Sequence, residues 1–205
     1  MRARGRTWPL LLSCGLAINL TLVGTLIPRD LGASSIAIQV VTRDGQHDFD
    51  FEIGEWKARV SRLEKPLAGS TTWLDYEGIS IVRKVWDGRA NLGELAVRGT
   101  SGQIEGLSLR LYHPETRQWH ISWANSRDGM LGDPMSGAFK DGRGEFFGEE
   151  LLNGRAILVR FTFFDMTPSS FRFEQAFSDD WGRTWEVNWK AEFARRERPS
   201  ERAQG

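Results

Sequence analysis

The chain has 205 residues, 27 basic and 27 acidic side chains and three histidines, with a sequence pI near 6.9. That neutral balance, with no basic cluster in the folded part, leaves no electrostatic footprint for nucleic acid. Nine Trp and twelve Phe suit large inward side chains on strands better than helix packing.

Arg2, Arg4 and Arg6 precede an uncharged run from Thr7 to Pro28, followed by Arg29 and Asp30. This is the n-region and h-region of a secretory signal, with cleavage after Ala33 or Ala37. The run is also about long enough to span a bilayer, so an uncleaved anchor is the rival. In that case the membrane is a partner only through this segment. Ser13, Asn19, Thr21 and Thr25 count against the anchor. Leu11-Leu12-Ser13-Cys14 has the outline of a lipoprotein box with a short apolar lead-in. Cys14 is the only cysteine, so the domain beyond it has no disulfide and no thiolate nucleophile. Removing residues 1–33 changes the balance to 23 basic against 26 acidic. The reading is a signal or anchor over 1–33, a linker over 34–46, one domain over 47–196 and a charged tail over 197–205. The compartment expected is periplasmic or extracellular.

The domain opens with His47–Ile53, where Phe49 and Ile53 at i, i+4 spacing suggest a single helical turn. Gly54 ends it, and Trp56, Ala58 and Val60 alternate with Lys57, Arg59 and Ser61 as a strand. Further strands are expected at Thr72–Tyr76 running on through Ile79–Trp86, Asn91–Val97, Gly106–Tyr112, Trp119–Asn125, Met135–Phe139, Glu145–Leu152 and Ala156–Phe164. Asp87-Gly88, His113-Pro114-Glu115, Asp141-Gly142 and Asn153-Gly154 supply turns between them, the last being the strongest two-residue hairpin signal.

The chain closes on two more alternating segments. Phe171, Phe173, Gln175 and Phe177 share one face of the first, and Trp185, Val187, Trp189, Ala191 and Phe193 one face of the second. Between them Ser178, Asp180, Gly182 and Thr184 have the spacing of the Asp-box, a hairpin turn that recurs in sialidases and other β-propellers. Asp180 can accept backbone N–H groups, Gly182 can take positive φ and Thr184 can bond back to the carboxylate. The box occurs once, in a chain too short for a propeller, so its role is read as structural. The fold expected is all-β, an antiparallel up-and-down barrel of about ten strands, preferred over a Greek-key sandwich because the hairpins are local.

Gly54-x-Trp56, with Arg195 or Arg196 just past the last strand, resembles the lipocalin and wider calycin signature. That resemblance implies a Trp sealing one end of the barrel under a cationic side chain, which stacks well on indole. The chain also resembles a bacterial family, domain of unknown function family 1579. The stretches that carry it are 49–56, 108–126, 137–150, 154–163 and 174–189. That family implies fold and export but no activity.

A barrel of this kind has its natural site in the lumen and mouth. Trp119, Ile121, Trp123, Phe161, Phe173, Trp185 and Trp189 are expected to line it, interrupted by the amides Asn125 and Gln175. The ligand-binding candidates are therefore Trp119, Trp123, Asn125, Phe161, Phe173, Gln175 and Trp189. The plainer alternative is that these residues simply fill a core. His120 alternates onto the outer face, so haem ligation is not expected, and the sequence indicates no cofactor, metal or catalytic set. His120 and Ser122 stand too far apart along a strand for a nucleophile–base pair, and Glu149-Glu150 point to opposite faces. Arg160, with apolar neighbours on both sides, has the form of an anion anchor or a cross-strand partner of Glu174. The function expected is binding of a small apolar or amphipathic molecule. The alternatives are a lumen-based isomerase or cyclase, for which Glu149 is the one acid of unsettled facing, and a structural or interaction module with a filled barrel.

Overall fold

The computed structural model describes residues 44–196; the expected signal or anchor with Cys14, most of the linker and the tail from 197 lie outside them. Ten strands follow one another along the described chain. They are β1 Gly54–Leu63, β2 Trp73–Val85, β3 Ala90–Gly99, β4 Gly102–His113, β5 Gln118–Asn125, β6 Met135–Lys140, β7 Arg143–Leu152, β8 Arg155–Phe164, β9 Ser170–Ser178 and β10 Glu186–Arg195. Each pairs antiparallel with its neighbours in sequence, and β1 also pairs with β10, so the sheet closes into an up-and-down barrel. With the strand order closed in a ring, the sandwich alternative falls away.

Odd-numbered strands run from a sealed end to a mouth. The seal begins with Gly54, whose φ of +127° suits glycine, and a Cβ there would stand 2.8 Å from Nη1 of Arg195. Trp56 is fully buried, and its indole N–H donates to the Glu52 carbonyl at 2.7 Å. Arg195 lies directly across from Trp56 in the β1–β10 register, with its guanidinium 4.1 Å from the indole centroid. The same guanidinium donates to the carbonyls of Pro168, Ile53 and Phe51. The stacking cation is thus Arg195; Arg196 pairs instead with Glu55.

A plug covers the rest of that end. The expected single helical turn is two short 3-10 turns, Gly45–His47 and Asp50–Glu52, and the ordered lead-in starts earlier than residue 47. Asp44 caps the first turn and accepts the Tyr112 hydroxyl at 2.7 Å, while the Gly45 carbonyl accepts the Trp119 indole N–H at 2.8 Å. Those bonds make Asp44–Gln46 part of the barrel's floor rather than linker. Phe49 drives the plug inward, meeting Trp119, Phe139 and Phe163 edge-on at ring distances of 4.9–5.2 Å.

From the floor upward a cluster of buried side chains continues along the interior. Val60, Tyr76, Val97, Phe161, Phe177 and Ala191 are buried in one continuous cluster with the aromatic floor. Two irregularities interrupt the wall. β10 carries a bulge, because Val187 pairs with Ala176 and Trp189 with Gln175, leaving Asn188 as the extra residue. The bulge shifts the phase of the strand. Trp189 faces in, whereas Trp185 lies outside, 6.1 Å from Phe147 and with the Arg160 guanidinium 4.7 Å from its ring. The unbroken alternation read from the sequence put Trp185 inside and Asn188 outside, and the extra residue reverses both.

The second irregularity is β6. It has six residues, and it pairs with β5 only over Trp119–Ile121 and with β7 only up to Phe147. Above that level β5 and β7 have no strand between them, apart from a single bridge from Ala124 to Leu131. The wall is therefore notched towards the mouth.

Candidate functional site

The notch holds a cavity of about 430 Å³. Its inner wall is built from strands by alternation: Ile121, Trp123 and Asn125 from β5, Met135 from β6, Glu150 from β7 and Phe161 from β8. The outer lip is the 126–134 loop, which contributes Asp128, Met130, Leu131, Gly132 and Asp133.

Two inward glycines set the shape of the inner wall. A Cβ at Gly106 would sit 1.8 Å from the six-membered ring of Trp123, so that glycine is the seat of the indole. A Cβ at Gly148 would meet the Met135 sulfur at 2.6 Å, so the thioether occupies the matching space across the notch. Both positions trade β propensity for close approach.

The lip is held by its own hydrogen bonds. The Asn125 side-chain oxygen accepts the backbone N–H groups of Arg127 and Asp128 at 2.9 and 3.3 Å, and its amide donates to the Asp128 carboxylate at 2.7 Å. Asp128 accepts the Met130 N–H, and the Gly132 N–H returns to the Trp123 carbonyl at 2.8 Å. This scaffold leaves Met130 and Leu131 73% and 53% exposed. Apolar side chains held in water beside an apolar-walled cavity are the kind of surface that a ligand covers.

Glu150 is the polar group that sequence reasoning missed. Cross-strand pairing puts it opposite Ile157, on the inward phase shared with Phe146 and Gly148. Its surface remains open to solvent, yet desolvation by the surrounding wall raises its carboxyl above the ordinary value. No ion pair or hydrogen bond engages it or Asp133 among the described residues. Counting phase forward from the buried Phe146 would have found it; the sequence reading left Glu149 as the acid to watch, and Glu149 points outward beside Leu158.

Of the candidates named from sequence, Trp123, Asn125 and Phe161 line this cavity together. The other four lie elsewhere. Trp119 is buried in the floor, bonded to Gly45 and edge-on to Phe49. Phe173 packs on Phe161 and Phe163 at 5.3 and 5.0 Å. Gln175 donates to the Asn188 side-chain oxygen at 2.8 Å, so the bulge supplies the partner that a ligand or water was expected to supply. The Asn188 amide nitrogen is buried without a partner. Trp189 packs partly buried against the core.

The remaining candidates resolve outside the notch. His120 bonds Ser136 across strands at 2.8 Å, a pairing that the β5–β6 register creates and that spacing along one strand did not show. Arg160 lies under Trp185 with Nε unpartnered, and does not face the lumen. In the turn before β10, Asp180 accepts the Thr184 N–H and hydroxyl at 2.9 and 2.7 Å and the Ser178 hydroxyl at 2.8 Å. Gly182 takes φ of +83° and donates to Ser178. Bonds from Thr184 and Ser178 hold the Asp180 carboxyl at about 2. All of this is the geometry of a staple.

A buried ion pair stands in the floor. Arg110 donates to Glu52 at 3.0 Å and to Asn91 at 2.9 Å, and its guanidinium sits 4.9 Å from the Phe49 centroid. Burial pushes the Glu52 carboxyl up while Arg110 pulls it back. The pair ties the plug to β3 and β4 and lies outside the cavity lining.

Compared with known proteins, the chain matches no family model and no curated protein. Among solved structures it is similar to Rv2717c from M. tuberculosis, at 10% identity and a TM-score of 0.52, over 76% of this chain and 99% of that one. It is equally similar to the S-type phycobiliprotein lyase CPES from Guillardia theta, at 12% identity and a TM-score of 0.52, over 76% of this chain and 94% of that one. These likenesses show a shared lipocalin-like barrel and reach no further than the fold.

Proposed function

We propose that this protein binds a small, partly apolar molecule in the side cavity that the short β6 leaves in the barrel wall. One observation carries the reading. Beside the short β6 the wall opens where Trp123, Phe161, Ile121 and Met135 meet the polar ends of Asn125 and Glu150. A concave apolar wall with a few convergent polar groups is the general form of a small-molecule site. The reading moves the site from the axial lumen to the notch. The stretches resembling family 1579 support membership of that family as part of the proposal. The basic and then apolar start of the chain supports export.

The test is a titration with 2-phenylethanol, followed by two-dimensional nitrogen–proton NMR. The expected result is a saturable shift of the Trp123 indole N–H, the Asn125 side-chain amide and the Ile121 backbone amide, with Phe161→Ala weakening it. Shifts confined to the outer face around Trp181 and Phe147, or none, would remove the proposal. N-terminal mass analysis of the chain recovered from its host tests the export component. A chain beginning after residue 33 or 37 supports cleavage, and an intact chain in the cytosolic fraction opposes export.

A further inference from the structure

The charge around the notch carries the reading one step further. Its lining includes three carboxylates, Asp128, Asp133 and Glu150, and no lysine, arginine or histidine. Their circumstances differ. Asp128 is spent on the lip, accepting from Asn125 and from the Met130 N–H. Asp133 and Glu150 have no hydrogen bond or ion pair to any described residue.

Three basic groups on or beside the neighbouring strands make other contacts. Arg127 donates to the Gln103 carbonyl at 2.9 Å, Arg155 pairs with Asp179 outside the barrel, and Arg110 is consumed by Glu52 in the floor. Arg127 belongs to the lip loop but is directed to that carbonyl, and it is not among the residues that line the cavity. Glu150 thus presents a carboxyl without a cation, from a wall that also carries an indole, a phenyl ring and two thioethers. A carboxylate beside aromatic faces favours a cation on both counts, by Coulomb attraction and by the ring quadrupoles. The same arrangement disfavours an anion, which would meet three carboxyl groups and no donor side chain of positive charge.

We infer that the ligand of the notch is a small amphipathic cation, an amine or quaternary ammonium on an apolar or aromatic body, held with its charge between Glu150 and Asp133 and its body against Trp123 and Phe161. The inference rests on the reading of the notch as a ligand site. Glu150 becomes the specificity-determining residue, with Asp133, which also lines the cavity, its partner. No covalent step is involved.

Three probes on one ring system test it at pH 8: 2-phenylethylammonium, 2-phenylethanol and phenylacetate, each titrated against the full chain and followed through the Trp123 indole N–H. The ammonium is expected to bind about tenfold more tightly than the alcohol, the size of effect that one partly solvated ion pair with ring contact supplies. Phenylacetate is expected to be the weakest of the three. In E150Q the advantage of the ammonium over the alcohol should fall to within about twofold, and in the double variant with Asp133→Asn it should vanish. The outcomes are distinguishable. If the alcohol or phenylacetate binds as tightly as the ammonium, with all three moving Trp123, the charge inference is overturned and the notch remains a site. An ammonium preference that survives in the double variant overturns it as well. If none of the probes moves Trp123, Ile121 or Asn125, the reading of the notch as a site falls first and takes this inference with it.

Discussion

Arg110→Met should destabilise the barrel by about 3–5 kcal/mol, the range for removing one partner of a buried ion pair. Arg110 is 5% exposed and Glu52 3%. The substitution keeps an unbranched stem of similar reach but leaves the Glu52 carboxylate and the Asn91 side-chain oxygen without their donor. Two unit charges about 3–4 Å apart attract by roughly 4–5 kcal/mol at an effective dielectric of 20, which the desolvation of both groups largely offsets while the pair is intact. Deleting the cation removes the attraction and leaves the desolvation. With domain stabilities of about 5–15 kcal/mol, such a loss is a large share of the margin.

The deficit should depend on pH with a definite sign. Burial raises Glu52 in the native state, and without Arg110 nothing pulls it back. The native variant then holds a proton that the unfolded chain releases above the ordinary value of about 4.5. The deficit is therefore smallest below that value and grows as pH rises through the native pKa. Urea unfolding followed by tryptophan fluorescence at pH 4 and pH 8 measures it. The double variant Glu52→Leu with Arg110→Met should recover most of the loss, because it leaves no charge in the floor. A single variant within about 1 kcal/mol of wild type at pH 8, or a double variant as unstable as the single, would refute the reasoning.

Three further expectations follow from the geometry. A double-mutant cycle on Trp56→Phe and Arg195→Ala should give a coupling of about 0.5–1 kcal/mol, towards the exposed end of the cation–π range; Arg195→Lys should not restore it, since an ammonium cannot fork to three carbonyls, and zero coupling by thermal melting would mean the stacking is idle. Gly106→Ala should cost about 1–3 kcal/mol and swing the Trp123 ring off β4 into the notch, so that 2-phenylethanol no longer shifts the Trp123 indole; unaltered ring and affinity would contradict the seat assigned to Gly106. Asp180 titrates at about 2, below its unfolded value, so its contribution is present above the ordinary carboxylate range and is lost as pH falls from about 4 towards 2. The Thr184 amide shift followed by NMR reports that midpoint, and a midpoint near the ordinary aspartate value of 3.8 would show the staple to be loose.

The strands were legible because almost every one alternates cleanly, as in Trp56, Ala58 and Val60, and because Asn153-Gly154 and Asp141-Gly142 take the positive φ their turns require. The seal was legible for a chemical reason: Gly54 must leave room for the guanidinium, and Trp56 needs a cover. Two kinds of information were not local. A bulge shifts strand phase without any glycine or proline to announce it, which is why Trp185 and Asn188 exchanged faces. The shortness of β6 is a matter of where neighbours stop pairing, so the notch, and Glu150 within it, emerge only from the register of β5 and β7. Gln175 was rightly seen as a polar interruption of an apolar face; its partner came from the bulge across the ladder.

The central claim is that the opening beside β6 holds a ligand, and intermolecular NOEs test it most directly. With 2-phenylethylammonium in excess over the full chain, the ring protons of the probe should give contacts to the Met135 methyl, the Trp123 indole and the Phe161 ring. Contacts running instead to Trp181 and Phe147 on the outer wall, or none at a concentration that shifts the protein's resonances, would contradict it.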